Sequence, residues 1–182
     1  KINIQTSQFN DQVVYPPGFL KTGQGNPFSV FTPFKRRWVE NFKMDFLDIT
    51  QPTPAKKSFS SKSNLSDIKF VKTHSANINL WPAGERAAQD RLANFLQSKA
   101  RLYSESRNSP IIDGTSRISP YLALGVLSPK RCILEGLKLN NFEFTSGNKG
   151  ICKWIDEIVW REFYRNIMYS FPRVSQNMPF QD

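Results

Sequence analysis

Apolar residues near the C-terminal end of the chain recur at helical spacing over residues 151–171, a stretch that contains no Gly or Pro. One stripe repeats at every fourth position and comprises Ile155, Val159, Phe163 and Ile167. This spacing is typical of the buried face of an amphipathic helix. The pattern therefore predicts a long core helix that ends at Pro172.

A second face of the same predicted helix combines rings with charges: Trp154, Glu157, Trp160, Arg161 and Tyr164. One interpretation is a core helix whose Glu157 and Arg161 form a solvated i,i+4 pair. The other is a surface for a planar, polar ligand such as a flavin or an unstacked base. The grouping of all five residues on one face favours the ligand surface.

Shorter elements are predicted along the rest of the chain. Two short strands are expected at residues 12–15 and 20–22, on either side of a Pro-Pro-Gly turn. A helix is expected at residues 33–42 with Thr32 as its N-cap. Everything after Leu80 reads as helical, with helices that begin at the following positions: Pro82, Ala100, Pro120 and Pro129.

Composition divides the chain into three parts. Residues 45–80 are rich in Pro, Ser and Lys and lack periodicity, which is typical of an inter-domain linker. Residues 1–44 then form the end of one domain, and residues 81–182 form the start of a helical one. Because the chain begins with Lys1 and not with Met, we expect it to be part of a longer protein.

The charge balance favours a partner rich in phosphate. Lys and Arg number 25 against 15 Asp and Glu, so the formal net charge is +10. A basic surface that only maintains solubility is the alternative. The two cysteines, Cys132 and Cys152, provide no disulfide framework or zinc spacing and indicate a reducing compartment. His74 lies in the polar linker, and no segment predicts a membrane span or a signal peptide.

Residues 113–120 combine a glycine, three hydroxyl side chains and an arginine before a predicted helix start. Gly114 permits an unusual backbone angle. Hydroxyls, free backbone N–H groups and a guanidinium are suited to a phosphate or pyrophosphate. A simple cap and turn is the alternative. The segment matches neither a Walker loop nor a Rossmann glycine fingerprint.

Five motifs together resemble the DNA photolyase/cryptochrome family, in the same order and over nearly the whole chain. They are residues 31–35, Tyr103 with Arg107, residues 113–119, residues 122–129 and residues 157–165. The resemblance implies a mainly α fragment. It would contain a remnant of an α/β antenna domain, a long linker, and the first half of an all-helical FAD-binding domain.

The same resemblance implies the roles of individual residues. Contacts to the FAD phosphates and ribityl chain are expected from Tyr103, Thr115, Ser116, Arg117, Ile118 and Ser119. Trp154 and Arg161 match further positions of the flavin pocket. Contacts to damaged DNA are expected from Arg107, Glu157 and Trp160, with a flipped pyrimidine dimer lying against Trp160. No catalytic acid–base pair, nucleophile or metal ligand is expected.

The function that the resemblance implies is blue-light repair of cyclobutane pyrimidine dimers by electron transfer from reduced FAD. The resemblance to class I dimer photolyases depends most on Glu157, since six-four photolyases more often have Gln at that position. An antenna chromophore such as a folate or deazaflavin is expected in the intact protein. Its partner would be dimer-containing DNA, bound by a monomer in the bacterial cytoplasm or a eukaryotic nucleus. The alternatives are a cryptochrome-like photoreceptor without repair activity and a flavin-free helical module that binds nucleic acid.

Overall fold

The computed structural model describes residues 5–6, 10–47 and 80–180, and these are mainly helical. The α-helices are α1 (Phe31–Glu40), α2 (Glu85–Ser98), α3 (Tyr103–Ser106), α4 (Ser119–Ala123), α5 (Pro129–Leu139) and α6 (Lys149–Ser170). Within the described residues they are accompanied by three 3₁₀ turns, Met44–Leu47, Ala100–Leu102 and Pro172–Gln176. The prediction of a mainly α chain is confirmed. Most of the predicted linker, together with His74, lies outside the described residues.

Helix α6 is the long helix that the apolar spacing predicts. Asn148 caps its start, because the Asn148 side chain accepts a hydrogen bond from the Ile151 N–H at 3.0 Å. The stripe that repeats at every fourth position is buried, from Ile155 at 1% exposed to Ile167 at 9%. The prediction of a core face on α6 is therefore confirmed.

Some helix starts differ from the prediction. Helix α1 begins at Phe31 with Val30 at the N-cap, so Thr32 lies inside the helix and does not cap it. Helix α2 begins at Glu85, because Gly84 at the N-cap has a φ of 99° and separates the helix from Pro82. Ser128 occupies the N-cap of α5, as predicted.

The two predicted strands are wrong, since the described residues include no strand. The reason lies in where the backbone N–H groups point. Those of Val14 and Tyr15 donate to the Glu162 carboxylate on α6, at 2.8 and 3.0 Å, and not to a neighbouring strand. Residues 22–26 form a local turn, in which the Thr22 N–H donates to the carbonyl of Asn26 at 2.9 Å. Residues 12–22 therefore form an irregular segment that crosses α6, which we call the strap.

Glu162 joins this strap to the helices. Its side chain is buried and also accepts a hydrogen bond from the Trp38 indole N–H at 3.0 Å, so three donors converge on one carboxylate. Burial raises the pKa of Glu162, whereas the three donors act in the opposite direction. One turn later, the Asn166 side-chain oxygen accepts from the Gly18 N–H at 2.9 Å. The strap is thus fixed to α6 at two points.

The strap and the helices share one hydrophobic core. Trp38 of α1 and Trp154 of α6 are its largest buried side chains. An ion pair of 2.7 Å between Lys35 and Asp156 links α1 to α6 at the edge of this core. At Gly150, an added Cβ would overlap the main-chain oxygens of Ala100 and Arg101. This close approach places the 3₁₀ turn Ala100–Leu102, which leads into α3, directly against the start of α6.

The described part of the chain contains no helix that is both long and apolar enough to cross a membrane.

We predict that Glu162→Gln lowers the free energy of unfolding of the intact protein by about 1–3 kcal/mol, because an amide NH₂ replaces one acceptor and faces a buried N–H donor. Urea denaturation followed by tryptophan fluorescence measures the change. The matched control is Glu105→Gln, an exposed residue of α3, for which we expect a change within about 0.5 kcal/mol. Equal effects of the two substitutions would contradict a structural role for Glu162.

Candidate functional site

The loop before α4 and the faces of α3 and α6 enclose a cavity of about 330 Å³, which we call the inner cavity. All eight residues that the sequence analysis assigned to the cofactor line it. Leu122, Glu157 and Ile158 complete the lining. The structure therefore brings together residues that lie up to 58 positions apart in the sequence, from Tyr103 to Arg161. Their role as cofactor ligands remains a prediction.

In the loop of residues 113–119, Arg117 has a left-handed backbone conformation with a φ of 50°. Gly114 was expected to have the unusual backbone angle. Its lack of a side chain instead allows close packing against Ser106, because an added Cβ would overlap the Ser106 side chain. The loop is held by Asp113, which pairs with Lys99 at 2.6 Å and with Arg117 at 2.9 Å. The hydrogen bond from Lys99 is the main cause of a lowered pKa at Asp113.

The loop presents polar groups to the inner cavity. Thr115 and Ser119 are exposed, and Ser116 is partly exposed. Helix α4 has only five residues, so its dipole adds little to anion binding. Any attraction for phosphate at this loop therefore comes from the hydroxyls, the local N–H groups and the arginines.

Aromatic residues form the floor of the inner cavity. Trp154 is 2% exposed and packs on Phe95, with ring centroids 5.3 Å apart, and Tyr103 meets Phe95 edge-on at 5.8 Å. Burial raises the pKa of Tyr103, with a further contribution from Glu157. Trp154 therefore belongs to the core and does not share the exposed face of α6 with Tyr164, which is 58% exposed.

Arg161 lines the inner cavity, and none of the described carboxylates forms an ion pair with it. Its guanidinium donates to the main-chain oxygen of Gln12 at 2.7 Å, to the side-chain oxygen of Gln12 at 2.7 Å and to the carbonyl of Leu122 at 3.0 Å. Burial lowers the pKa of Arg161, and the nearby charge of Arg165 adds to this effect. The i,i+4 pair with Glu157 that one interpretation assumed is not formed.

Glu157 instead pairs with Arg107 of the turn after α3, and more distantly with Lys153 at 3.7 Å. Arg107 and Glu157 are both only partly exposed, at 26% and 32%. The hydrogen bond that Arg107 donates to the Glu157 carboxylate is the main cause of a raised pKa at Arg107. Two of the three residues expected to meet damaged DNA are therefore bonded to each other.

A wider groove of about 800 Å³ adjoins the inner cavity, and we call it the outer groove. Glu157 and Trp160 line it, whereas Arg107 reaches it only through its bond to Glu157. A wall common to both spaces is formed by Ser119, Leu122, Glu157 and Arg161. Residues predicted for the cofactor and for DNA therefore line two adjacent spaces, and three of them, Ser119, Glu157 and Arg161, line both.

Trp160 is covered on one side. Phe31 stacks on it with ring centroids 3.7 Å apart and an interplanar angle of 10°. Tyr164 lies offset beside it, at 5.5 Å and 29°. Because Phe31 occupies one face of the Trp160 ring, a base can stack only on the opposite face. The sequence motif for residues 31–35 gave no indication that Phe31 would contact Trp160.

The sequence analysis missed Gln12, which contacts Arg161 across 149 positions of sequence. No local pattern marks such a residue, because only the path of the strap brings it to α6. Metal binding finds no support in the described ranges, where no group of three or more His, Cys, Asp or Glu side chains could hold an ion.

Comparisons with known proteins show the family that the chain is similar to. A sequence model of the family described as DNA photolyase matches residues 1–57. The chain is 33% identical to the deoxyribodipyrimidine photo-lyase of Escherichia coli over 98% of its own length and 37% of that protein. It is 32% identical to the enzyme of the same name from Neurospora crassa, over 94% of this chain and 30% of that one.

A solved structure is also similar: a class III photolyase from Agrobacterium tumefaciens, with a TM-score of 0.71 and 30% identity. It is matched over 90% of this chain and 34% of that one. The chain therefore spans about a third of the length of the proteins it matches. These similarities do not distinguish class I from other classes, so the subtype stays a prediction.

We predict that the Arg107–Glu157 pair contributes a coupling energy of about 0.5–1 kcal/mol to the stability of the intact protein, because both side chains remain partly in solvent. A double-mutant cycle of Arg107→Ala and Glu157→Ala, followed by urea denaturation, measures it. The control is the i,i+4 pair of Arg131 and Glu135 within α5, which is partly exposed at 38% and 28%, and its expected coupling is about 0.3–0.5 kcal/mol. A coupling well above 2 kcal/mol would show that neither side chain can be released to a ligand at low cost.

Proposed function

The chain belongs to the DNA photolyase family, and on that basis we propose that the intact protein is an FAD-dependent, light-driven lyase that repairs cyclobutane pyrimidine dimers in DNA. The observation that carries the proposal is the pair of adjacent spaces on α6. One is lined by every residue expected to bind FAD, and the other by Glu157 and Trp160, which are expected to meet the dimer.

The residues of the inner cavity fit part of an FAD molecule. Hydroxyl groups of Thr115, Ser116 and Ser119 offer donors to a diphosphate, and Arg161 adds a positive charge. The indole of Trp154 gives the floor an aromatic surface suited to the flavin side of the molecule. A cavity of about 330 Å³ is smaller than a whole FAD. We propose that the rest of the cofactor contacts parts of the intact protein that this chain does not span.

When bound, reduced FAD supplies the electron that splits the dimer under blue light. The residues of this chain bind and orient. Trp160 offers one ring face to an unstacked base, and the Glu157 carboxylate accepts hydrogen bonds from base imide or amino groups. Arg107 is released from Glu157 to hold a nearby phosphate. A dimer is easier to extrude than an intact pair, because its pairing is already damaged.

Repair of a dimer-containing oligonucleotide by the purified intact protein tests the proposal. We expect loss of dimers under blue light and none in the dark, with a flavin spectrum in the preparation. Flavin that is reduced by light without repair would instead indicate a cryptochrome-like photoreceptor. A preparation that contains no flavin and does not take up added FAD would contradict both readings and favour the flavin-free binding module.

We predict that Trp160→Ala in the intact protein weakens binding of dimer-containing DNA by about 10-fold or more while FAD stays bound, because one stacking surface for a base is lost. Fluorescence anisotropy measures the DNA affinity, and absorbance measures the flavin content. Phe142→Ala, which removes an exposed aromatic ring from the loop before α6, is the matched control and should leave both unchanged. Loss of flavin in Trp160→Ala would refute the division between the inner cavity and the outer groove.

A further inference from the structure

Gln12 is a residue of the strap whose two oxygens contact the wall between the inner cavity and the outer groove. Its main-chain oxygen and its side-chain oxygen each accept a hydrogen bond from Arg161 at 2.7 Å. The same side-chain oxygen accepts from Arg165 at 3.3 Å. One amide oxygen thus lies between two guanidinium groups.

The orientation of the Gln12 amide is restricted from its other side by Gly125. Gly125 has a φ of 72°, and a Cβ added there would lie 2.7 Å from the Gln12 side-chain nitrogen. The amide is therefore confined between Gly125 and the two arginines, with its oxygen facing the arginines. The strap carries this amide to α6 because Glu162 fixes Val14, two residues further along.

Among the described residues, all the acceptors of Arg161 are neutral: the two oxygens of Gln12 and the carbonyl of Leu122. Within the described residues Arg161 forms no ion pair, and the buried Glu162 acts on its charge only through space. A guanidinium held only by neutral acceptors keeps its positive charge available to a ligand, whereas a carboxylate partner would compensate it. Arg161 lines both spaces.

We propose that Gln12 is a positioning residue, which fixes the Arg161 guanidinium in the wall of the inner cavity by neutral contacts so that its charge serves a negatively charged cofactor. The proposal rests on the proposed function, because FAD is the ligand on which it acts. It gives the N-terminal strap a direct part in cofactor binding. A purely structural role, in which Gln12 only fills space beside Gly125, makes different predictions.

Two substitutions of Gln12 in the intact protein separate these roles. Gln12→Ala removes the shared oxygen, and we expect FAD to bind about 10-fold more weakly because Arg161 is no longer held in place. Gln12→Glu keeps an acceptor of the same shape but adds a charge that pairs with Arg161. We expect it to bind FAD at least as weakly as Gln12→Ala, whereas a purely structural role predicts rescue.

Titration of FAD into the apoprotein, followed by flavin fluorescence, measures the dissociation constants, and thermal melting verifies that each variant is folded. Gln24→Ala and Gln24→Glu are the matched controls, since Gln24 is exposed in a turn of the same N-terminal region. We expect these controls to change the affinity by less than about twofold.

A double variant tests whether Gln12 acts through Arg161. Arg161→Lys combined with Gln12→Ala should bind FAD no more weakly than Arg161→Lys alone, because the residue that Gln12 positions is already altered. Additive losses would overturn the proposal, as would wild-type affinity in Gln12→Glu. If the wild-type protein binds no FAD, the proposed function itself is overturned. If the wild-type protein binds FAD and the Gln12 variants bind it with the same affinity, only the proposed role of Gln12 is overturned.

Discussion

The buried carboxylate of Glu162 is the contact on which the arrangement of the molecule depends. A carboxylate is costly to bury unless its oxygens are satisfied, and here the N–H groups of Val14, Tyr15 and Trp38 converge on it. Those donors belong to two separate segments, the strap and α1. By collecting them on α6, Glu162 fixes the N-terminal part of the chain against the helix that carries the candidate site.

The candidate site follows from that attachment. Because the strap is held at Val14, Gln12 reaches Arg161, and because α1 is held at Trp38, Phe31 reaches Trp160. The first contact orients a charge in the wall of the inner cavity. The second covers one face of the ring that is proposed to meet a base. The strap therefore shapes the wall of the inner cavity, and α1 shapes the outer groove.

Charge is distributed in a way that suits the proposed function. Arg107 and Arg117 are paired with carboxylates in the described structure, whereas Arg161 is held only by neutral oxygens. The paired arginines remain partly exposed and can be released to phosphate, while Arg161 is fixed in place. Membership of the photolyase family, the aromatic floor and this unpaired charge all favour a negatively charged, partly aromatic ligand in the inner cavity.

The sequence by itself determined helix α6 and its buried stripe, and its resemblance to a known family singled out eight of the eleven residues that line the inner cavity. Helical periodicity is a local property, and the family motifs keep their order along the chain. Tertiary structure alone decided the rest. It separated Trp154 from the exposed face, replaced a pair of Glu157 and Arg161 by one of Glu157 and Arg107, and turned the predicted strands into a strap bonded to Glu162. These outcomes depend on partners up to 148 positions apart, and no local pattern encodes which distant donor or acceptor a buried polar group will meet.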